Sequence, residues 1–310
     1  MNAPSNTQSL EYRQKDIRWV ANLKMYAARL IDEWDTFDLT ANMTLILLML
    51  YSGNYWYIER PITIICSAAI IHRPLRRSEL FWFVTTAVMI AGNYHNWYSI
   101  DNHKYLITYW CIALYVANKT HEPAKTAALS AKYLIGLAFL FATIWKLTSS
   151  NYLTGAFFHY SLLIDERFAS LASFVGQLSQ IAFTQNSEAL QNLLSFSSEA
   201  QSVQLQSTSK IMIIAYFLTW WTALIEGVVA ISFLIPEKTR LAKWRDVPLL
   251  LFIMTTYSLA PVIGFGWVLI IMGASQSTLI SKYNRLFYVV AFFTLQVYLM
   301  PWQKLISYYL

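Results

Sequence analysis

Apolar residues along this chain are grouped into long runs, and short polar stretches between the runs carry most of the charge. An α-helix needs about 20 apolar residues to cross the hydrocarbon core of a bilayer. The runs predict an all-α, polytopic transmembrane bundle of about eight membrane helices. The predicted spans are 39–58, 61–72, 79–97, 104–118, 129–148, 211–235, 247–273 and 285–302. The second is short and begins at Arg60-Pro61, so we expect it to be re-entrant or distorted.

The first 34 residues differ from the rest. Residues 1–18 are polar and lack a signal-peptide pattern, and the distribution of basic residues described below predicts that they form a cytoplasmic tail. In 19–34, apolar residues recur at helical spacing and most charges fall on the opposite face. This pattern predicts an amphipathic helix at the membrane surface, with packing against the bundle as the alternative. Residues 35–310 then form the membrane domain.

Composition agrees with a membrane protein. The chain is 56% hydrophobic and 13% charged, whereas a soluble domain carries about 25% charged residues. The net charge of +6 does not indicate nucleic acid, because Lys and Arg lie in short loops, where they set orientation. With eight spans, the loops on the N-terminal side are the more basic, which places both termini in the cytoplasm. Cys66 and Cys111 fall inside apolar runs and are expected to be free thiols.

Segment 149–210 is a long, Ser- and Gln-rich insertion on the predicted outer side. Phe168, Leu171, Phe174, Val175 and Leu178 recur at helical spacing within it, so part of it should be helical and lie over the bundle. One interpretation is a lid above a site. The alternative is a solvated, partly disordered loop.

Lys146 stands near the end of an apolar run that carries no other charge from Leu134 onward. An ammonium at that depth is unfavourable, which makes the residue a candidate for function. Desolvated in a pocket, its amine could act as a general base. The plainer alternative is a lysine that extends its stem to the interface near Ser149.

A second polar group, Asp101-Asn102-His103, begins the fourth span. Helix capping and an interfacial aromatic belt explain it in the simplest way. The functional alternative is a site for an oxygen-bearing ring, with Asn102 and His103 as hydrogen-bond donors and Trp97 and Tyr105 as further contacts. No metal ligand set is indicated. The topology brings this group and Lys146 to the same face of the membrane.

Glu226 is a carboxylate in the middle of the sixth span. Its burial requires a partner or protonation. The favoured interpretation is a hydrogen bond that packs its helix against a neighbour. A transporter would need more charges along a path, so we rank that class last.

Three segments resemble motifs of one membrane family. Segment 133–155 resembles the pattern "YFiaGvaKL…dwl.G", segment 101–106 resembles "NNHsYL", and Glu226, Pro236 and Arg240 match a looser "E…P…tR" stretch. All three occur in the order found in the HTTM domain, the membrane module shared with vitamin K-dependent gamma-glutamyl carboxylase. The resemblance covers roughly residues 30–300.

The resemblance implies a carboxylase- or epoxidase-like membrane enzyme, a lyase or oxidoreductase, with a vitamin K-like quinol as cofactor. Lys146 would be the base that deprotonates the quinol, His103 a further catalytic residue, and Asn102 and His103 the contacts to its ring. In the family, oxidation of the quinol by dioxygen drives carboxylation of peptide glutamates with carbon dioxide.

Two departures separate this chain from the carboxylase. No histidine follows His159, whereas the carboxylase has one in a late span, and 310 residues leave no room for its β-rich domain. Short bacterial HTTM proteins similar to peptide-toxin maturation factors suit the length better, which implies a bacterial inner membrane. The alternative function is therefore a non-enzymatic accessory subunit or maturation factor. The expected partners are the lipid bilayer and a peptide substrate or partner membrane subunit, without nucleic acid.

Overall fold

The computed structural model describes residue 25 and residues 35–51, 55–95, 97–195, 202–259, 262–281 and 283–298. Apart from Met25, the predicted tail 1–18 and interfacial helix 19–34 lie outside the described residues. Within them the protein is entirely helical, as the hydrophobic pattern predicts, and contains no strand.

Fifteen α-helices follow one another in this part of the chain. They are α1 Thr36–Tyr51, α2 Trp56–Ile71, α3 Arg73–Arg76, α4 Glu79–His95, α5 Asn102–Asn118, α6 Pro123–Thr148, α7 Ser150–Leu153, α8 Ala156–Ile164, α9 Ala169–Phe174, α10 Gln180–Ser195, α11 Ser209–Leu234, α12 Arg240–Lys243, α13 Asp246–Leu259, α14 Ile263–Gln276 and α15 Asn284–Tyr298. Single 3-10 turns occur at Glu166–Phe168 and Ser277–Leu279.

Among the described residues, α6 and α11 are the two helices long and apolar enough to cross a membrane by length and composition. α1, most of α13 and α15, and a stretch over 264–279 are apolar but shorter. The eight-span arrangement therefore remains a prediction.

Three predicted spans differ in detail from the structure. The span 39–58 is not one helix, because α1 ends at Tyr51 and the last residues of the predicted span belong to α2, which begins at Trp56. The span 247–273 is not one helix, because the structure has α13 and α14 in its place. Pro261 lies between them in the sequence, and a proline interrupts the helical hydrogen-bond ladder. The short span 61–72 is instead a helix of 16 residues that starts at Trp56 and passes through Pro61. Its proline leaves one backbone carbonyl without an intrahelical donor and does not end the helix.

The centre of the bundle is the pairing of α6 with α11. Gly136 of α6 makes close approach possible, because a Cβ there would lie 2.7 Å from Leu234 and 3.2 Å from the Cβ of Phe233. α6 also packs on α5 and α14, and α14 packs on α1 and α15. This packing brings the C-terminal end of α6 beside the N-terminal end of α5.

The insertion 149–210 forms a second, smaller core. Its helices α7 and α8 pack on the N-terminal half of α11, and α9 and α10 pack on α8. The buried members are Tyr152, Phe158, Leu162, Leu163, Phe168, Ala172, Leu178, Ala182, Ile211, Ala215 and Leu218. Of the residues that predicted a helix here, Phe168 and Leu178 are buried, whereas Phe174 and Val175 are exposed. The described part of the insertion is therefore helical and rests on the bundle.

Candidate functional site

A cavity of about 530 Å³ lies between α5, α6 and the start of α14. Lys146, Asn102 and His103 all line it. The remaining lining residues are apolar: Leu106, Ala138, Phe141, Ala142, Trp145, Val262 and Phe265. We call this space the first cavity. Three of the predicted site residues thus line the same cavity, although they lie on two different helices.

Helix packing explains the convergence. Lys146 lies in the last turn of α6, and Asn102 and His103 lie in the first turn of α5. The two helices are antiparallel neighbours joined by a short loop, so the end of one meets the beginning of the other. Tertiary packing then turns both sets of polar side chains toward the same space.

Trp97 and Tyr105 do not line the first cavity, so their predicted contact with a ring is not found there. Trp97 is 57% exposed in the turn before α5 and packs against Tyr98. Tyr105 is half-buried on α5, one position before the cavity residue Leu106. Successive helical residues point about 100° apart. Tyr105 therefore points to a different side of α5 from Leu106 and does not line the cavity.

His103 is held by Tyr51, a residue distant in sequence that the motifs do not connect with it. Its Nε2 lies 2.6 Å from the hydroxyl of Tyr51, at the end of α1, and the two rings stack at 5.2 Å. The same hydroxyl donates to Oδ2 of Asp101 over 3.1 Å. These contacts fix the imidazole, since one hydroxyl bridges the ring and a carboxylate.

Lys146 is not a solitary amine. Its Nζ forms an ion pair with Oε1 of Glu226 on α11, and both side chains are largely buried at 14% and 9% exposure. Nζ also lies 5.3 Å from the ring centre of Tyr152, whose hydroxyl is hydrogen-bonded to Thr222. The expectation of a lysine that reaches for the interface is therefore wrong, and Glu226 bonds a neighbouring helix as expected. Two opposite charges within long apolar runs tend to pair, so this signal was present in the sequence.

The ion pair changes the chemistry available to Lys146. A protonated ammonium cannot accept a proton. Transfer of one proton from Nζ to the Glu226 carboxylate gives a neutral amine and a neutral acid, and only then can the amine act as a base. A low-dielectric surrounding favours such a neutral pair, because burial of two charges is costly there and the neutral pair avoids that cost. Glu226 Oε2 has no hydrogen-bond partner within the described residues.

A second cavity of about 250 Å³ is lined by both members of this pair. It shares Lys146, Val262 and Phe265 with the first cavity, and Glu226 lines it as well. Its further walls come from the insertion, from α11 and from α13: Phe157, Phe158, Ser161, Arg167, Phe168, Leu218, Trp221, Thr222, Phe252, Thr255, Thr256 and Leu259. Lys146 is therefore accessible from two separate spaces.

Arg167 is the cation on the insertion's side of the second cavity. Its Nε donates to Oδ1 of Asp165 over 3.0 Å, and its Nη2 lies 2.5 Å from Oδ2. These hydrogen bonds hold the pKa of the Asp165 carboxyl below its ordinary value and raise that of the guanidinium. The pair fixes the 3-10 turn that carries Arg167 over the cavity.

Within the described residues no group of three or more His, Cys, Asp or Glu side chains could hold a metal ion. Comparison with protein-family models, with curated proteins and with solved structures gives no match. The resemblance to the HTTM domain therefore rests on the motifs alone, and the geometry of the two cavities carries the argument about function.

Proposed function

We propose that this chain is a multi-pass membrane enzyme of the HTTM type, which uses a quinol-type, vitamin K-like cofactor to modify a peptide or another extracytoplasmic substrate. Lys146 is the general base, and Asn102 and His103 position the ring. The membrane spans, the outer location of the site and the cytoplasmic termini belong to this proposal. Two apolar helices of sufficient length support its membrane character.

The observation that carries the proposal is the composition of the first cavity. A small-molecule site is typically a cavity of about 300–1,000 Å³ with apolar walls and a few converging polar groups. The first cavity is about 530 Å³, and its polar lining residues are Lys146, Asn102 and His103. An aromatic ring with two oxygen substituents fits this lining, since the apolar walls contact the ring and the polar groups reach its oxygens.

The surface beside the first cavity is apolar. Phe141 and Trp145 line the cavity and are 64% and 59% exposed. In a bilayer this surface would contact lipid, so a cofactor with an isoprenoid chain could enter with its ring first and leave its chain outside. Large exposed apolar residues are expected where a helix faces hydrocarbon.

The bound quinol would supply the reducing equivalents for an oxygen-dependent reaction. With its own proton passed to Glu226, Lys146 would be the group that accepts a proton from a ring hydroxyl. His103 and Asn102 would hold the ring through hydrogen bonds. The second cavity reaches the same amine from the side of the insertion, which makes it the space for the group to be modified. Phe157 and Trp221 contribute apolar surface to that space.

Lipid-extract mass spectrometry of the protein purified by gentle extraction tests the proposal. The expected result is one isoprenoid quinone per chain, both in the wild type and in Lys146→Ala. The variant should oxidise a reduced naphthoquinone with dioxygen at least about a hundredfold more slowly than the wild type, within the 10²–10⁴ range of general base catalysis. Lys125→Ala, an exposed lysine of the same helix, is the matched control. No copurifying quinone and no oxidation by the wild type would refute the enzyme function.

The ion pair favours one second candidate, a non-enzymatic accessory subunit or maturation factor that retains the fold. Here Lys146 and Glu226 would only join α6 to α11, since a buried pair of opposite charges can serve structure alone. This function predicts that a double change to Lys146→Met and Glu226→Leu preserves the biological activity of the chain. Loss of that activity in a stable double variant would exclude it.

A further inference from the structure

We infer that Tyr51 and Asp101 form a proton relay that connects His103, and through it the first cavity, with the water at the surface of the protein. The inference rests on the proposed function, because the relay serves a ligand whose hydroxyl exchanges a proton in that cavity. It assigns a role to two residues that line neither cavity.

The distances fit a continuous path. His103 Nε2 lies 2.6 Å from the Tyr51 hydroxyl, which is 3.1 Å from Asp101 Oδ2, whereas the direct distance from His103 Nε2 to Asp101 Oδ2 is 3.7 Å. Hydrogen bonds in proteins span about 2.5–3.2 Å. The hydroxyl therefore bridges a gap that the imidazole and the carboxylate do not close directly.

Exposure gives the path a direction. The side chain of His103 is 9% exposed and lines the first cavity, whereas that of Asp101 is 63% exposed. The Tyr51 hydroxyl and Asp101 both lie on the Nε2 side of the ring, and we assign the other nitrogen, Nδ1, to an occupant of the first cavity, which His103 lines. The path thus begins at a buried group and ends at a carboxylate in contact with water.

The proton steps balance without any further reactant. His103 accepts a proton at Nδ1 as the O–H bond of the ligand breaks. It loses the Nε2 proton to the Tyr51 oxygen, Tyr51 gives its own proton to Asp101 Oδ2, and Asp101 releases one proton to water. Reversal of the same steps returns a proton to an oxygen anion in the cavity and restores the Nε2–H form of the ring.

Gly264 holds the first two members together. A Cβ at position 264 would lie 2.3 Å from Cε1 of Tyr51 and 2.9 Å from Cδ2 of His103. Because real Cβ atoms do not approach that closely, only glycine lets α14 press these rings against each other. The stacking of the rings at 5.2 Å depends on this approach.

The charged and titratable groups around His103 come from several helices. α5 and the residue before it contribute Lys104 and Asp101, α1 contributes Tyr51, and α6 contributes Lys146 across the cavity. Tyr257 of α13 lies behind Tyr51 and donates its hydroxyl to the Val262 carbonyl. Lys104 Nζ lies 5.0 Å from the Tyr51 ring centre. Tyr51 and Asp101 are the two that bridge from Nε2 to solvent.

The test uses the full chain in nanodiscs and a reduced short-chain naphthoquinone as probe. Tyr51→Phe keeps the stacked ring and removes the bridging hydroxyl, and Asp101→Asn keeps the shape and removes the proton acceptor. We expect at least a tenfold slower oxidation in each, with unchanged quinone occupancy. We also expect formate or imidazole at millimolar concentration to restore the rate of Asp101→Asn, because its position is exposed.

The controls are Tyr94→Phe, an exposed tyrosine at the end of α4, and Glu188→Gln, an exposed acid on α10. Both should keep the wild-type rate and show no response to formate or imidazole. A wild-type rate in Tyr51→Phe would overturn the relay. The relay would also be overturned if Asp101→Asn binds quinone normally, oxidises it slowly and gains no rate from formate or imidazole, because that result indicates a structural role for Asp101.

Nuclear magnetic resonance of ¹⁵N-labelled histidine separates failure of the relay from failure of the proposed function, since it needs no turnover. If the wild type neither binds nor oxidises quinone, the proposed function fails. The relay then still predicts that the Nε2–H of His103 exchanges with bulk water more slowly in Asp101→Asn than in the wild type. Equal exchange in the two proteins would overturn the relay by itself.

Discussion

The ion pair between Lys146 and Glu226 allows a quantitative prediction about stability. Glu226→Leu leaves a buried ammonium without its counterion, and Lys146→Met leaves a buried carboxylate without one. The double variant removes both charges and keeps similar volume between α6 and α11. Together with the wild type, these three variants form a double-mutant cycle, which isolates the interaction of the two side chains.

The magnitude follows from burial. The two side chains are 14% and 9% exposed, so solvent screens the pair weakly. Loss of one member of a buried pair costs about 3–5 kcal/mol, whereas replacement of both by apolar residues is often neutral or stabilising. We therefore expect each single variant to lose about 3–5 kcal/mol of unfolding free energy and the double variant to lose less than about 1 kcal/mol.

Thermal unfolding in detergent, followed by the loss of monomer on size exclusion, measures the effect. A free-energy change of 1 kcal/mol shifts Tm by about 2–4 °C in a domain of 150–250 residues. Each single variant should therefore melt at least about 6 °C below the wild type. The matched control is the exposed pair of Lys125 and Glu122, whose nitrogen and oxygen lie 2.9 Å apart. An exposed pair contributes about 0–1 kcal/mol, so Lys125→Met should change Tm little.

Two results would refute this reasoning. If the single variants melt with the wild type, the pair is not buried as described. If the double variant is as unstable as the sum of the two single variants, the side chains act independently. In either case Glu226 does not control the protonation of Lys146, and the proposed mechanism loses its proton acceptor.

Two further predictions concern packing and acid stability. Gly264→Ala should destabilise the protein by about 1–3 kcal/mol and lower quinone occupancy, because the new Cβ meets Tyr51 and overpacking costs about that much. Thermal melting and mass spectrometry measure the two effects. The control is Gly227→Ala, whose Cβ would have its nearest neighbour at 3.6 Å. The pKa of Asp165 is lowered in the folded state, so its stabilising effect is present above the ordinary value of about 3.9 and is lost as pH falls through the folded value. Limited proteolysis of the insertion should show increasing cleavage of the wild type from pH 7 to pH 3 and a weaker pH dependence in Asp165→Asn. Equal pH dependence in the two proteins would contradict the stabilising pairing of Asp165 with Arg167.

Much of the helical framework could be predicted from hydrophobic runs, because helix formation and burial of apolar faces are encoded locally. The runs place α1, α4, α5, α6, α11 and α15 close to where the structure has them. The break between α13 and α14 was missed. A long apolar run hides a proline such as Pro261 when hydropathy alone is considered.

The approach of Lys146 to Asn102 and His103 could be anticipated from chain direction. Two consecutive helices joined by a short loop must run antiparallel, so the end of α6 and the start of α5 lie at the same end of the bundle. This argument sets depth along the helices. It does not set the rotation of each helix about its axis.

Rotation and side-chain partners required the folded structure. Three features depend on which side of each helix meets a neighbour. Glu226 faces Lys146, and the hydroxyl of Tyr51 lies between His103 and Asp101. Trp97 and Tyr105 do not line the first cavity. In apolar helices most faces are equally hydrophobic, so the chain's pattern carries little information about that choice. Close packing between helices distant in sequence selects the orientation, and with it the chemistry of the site.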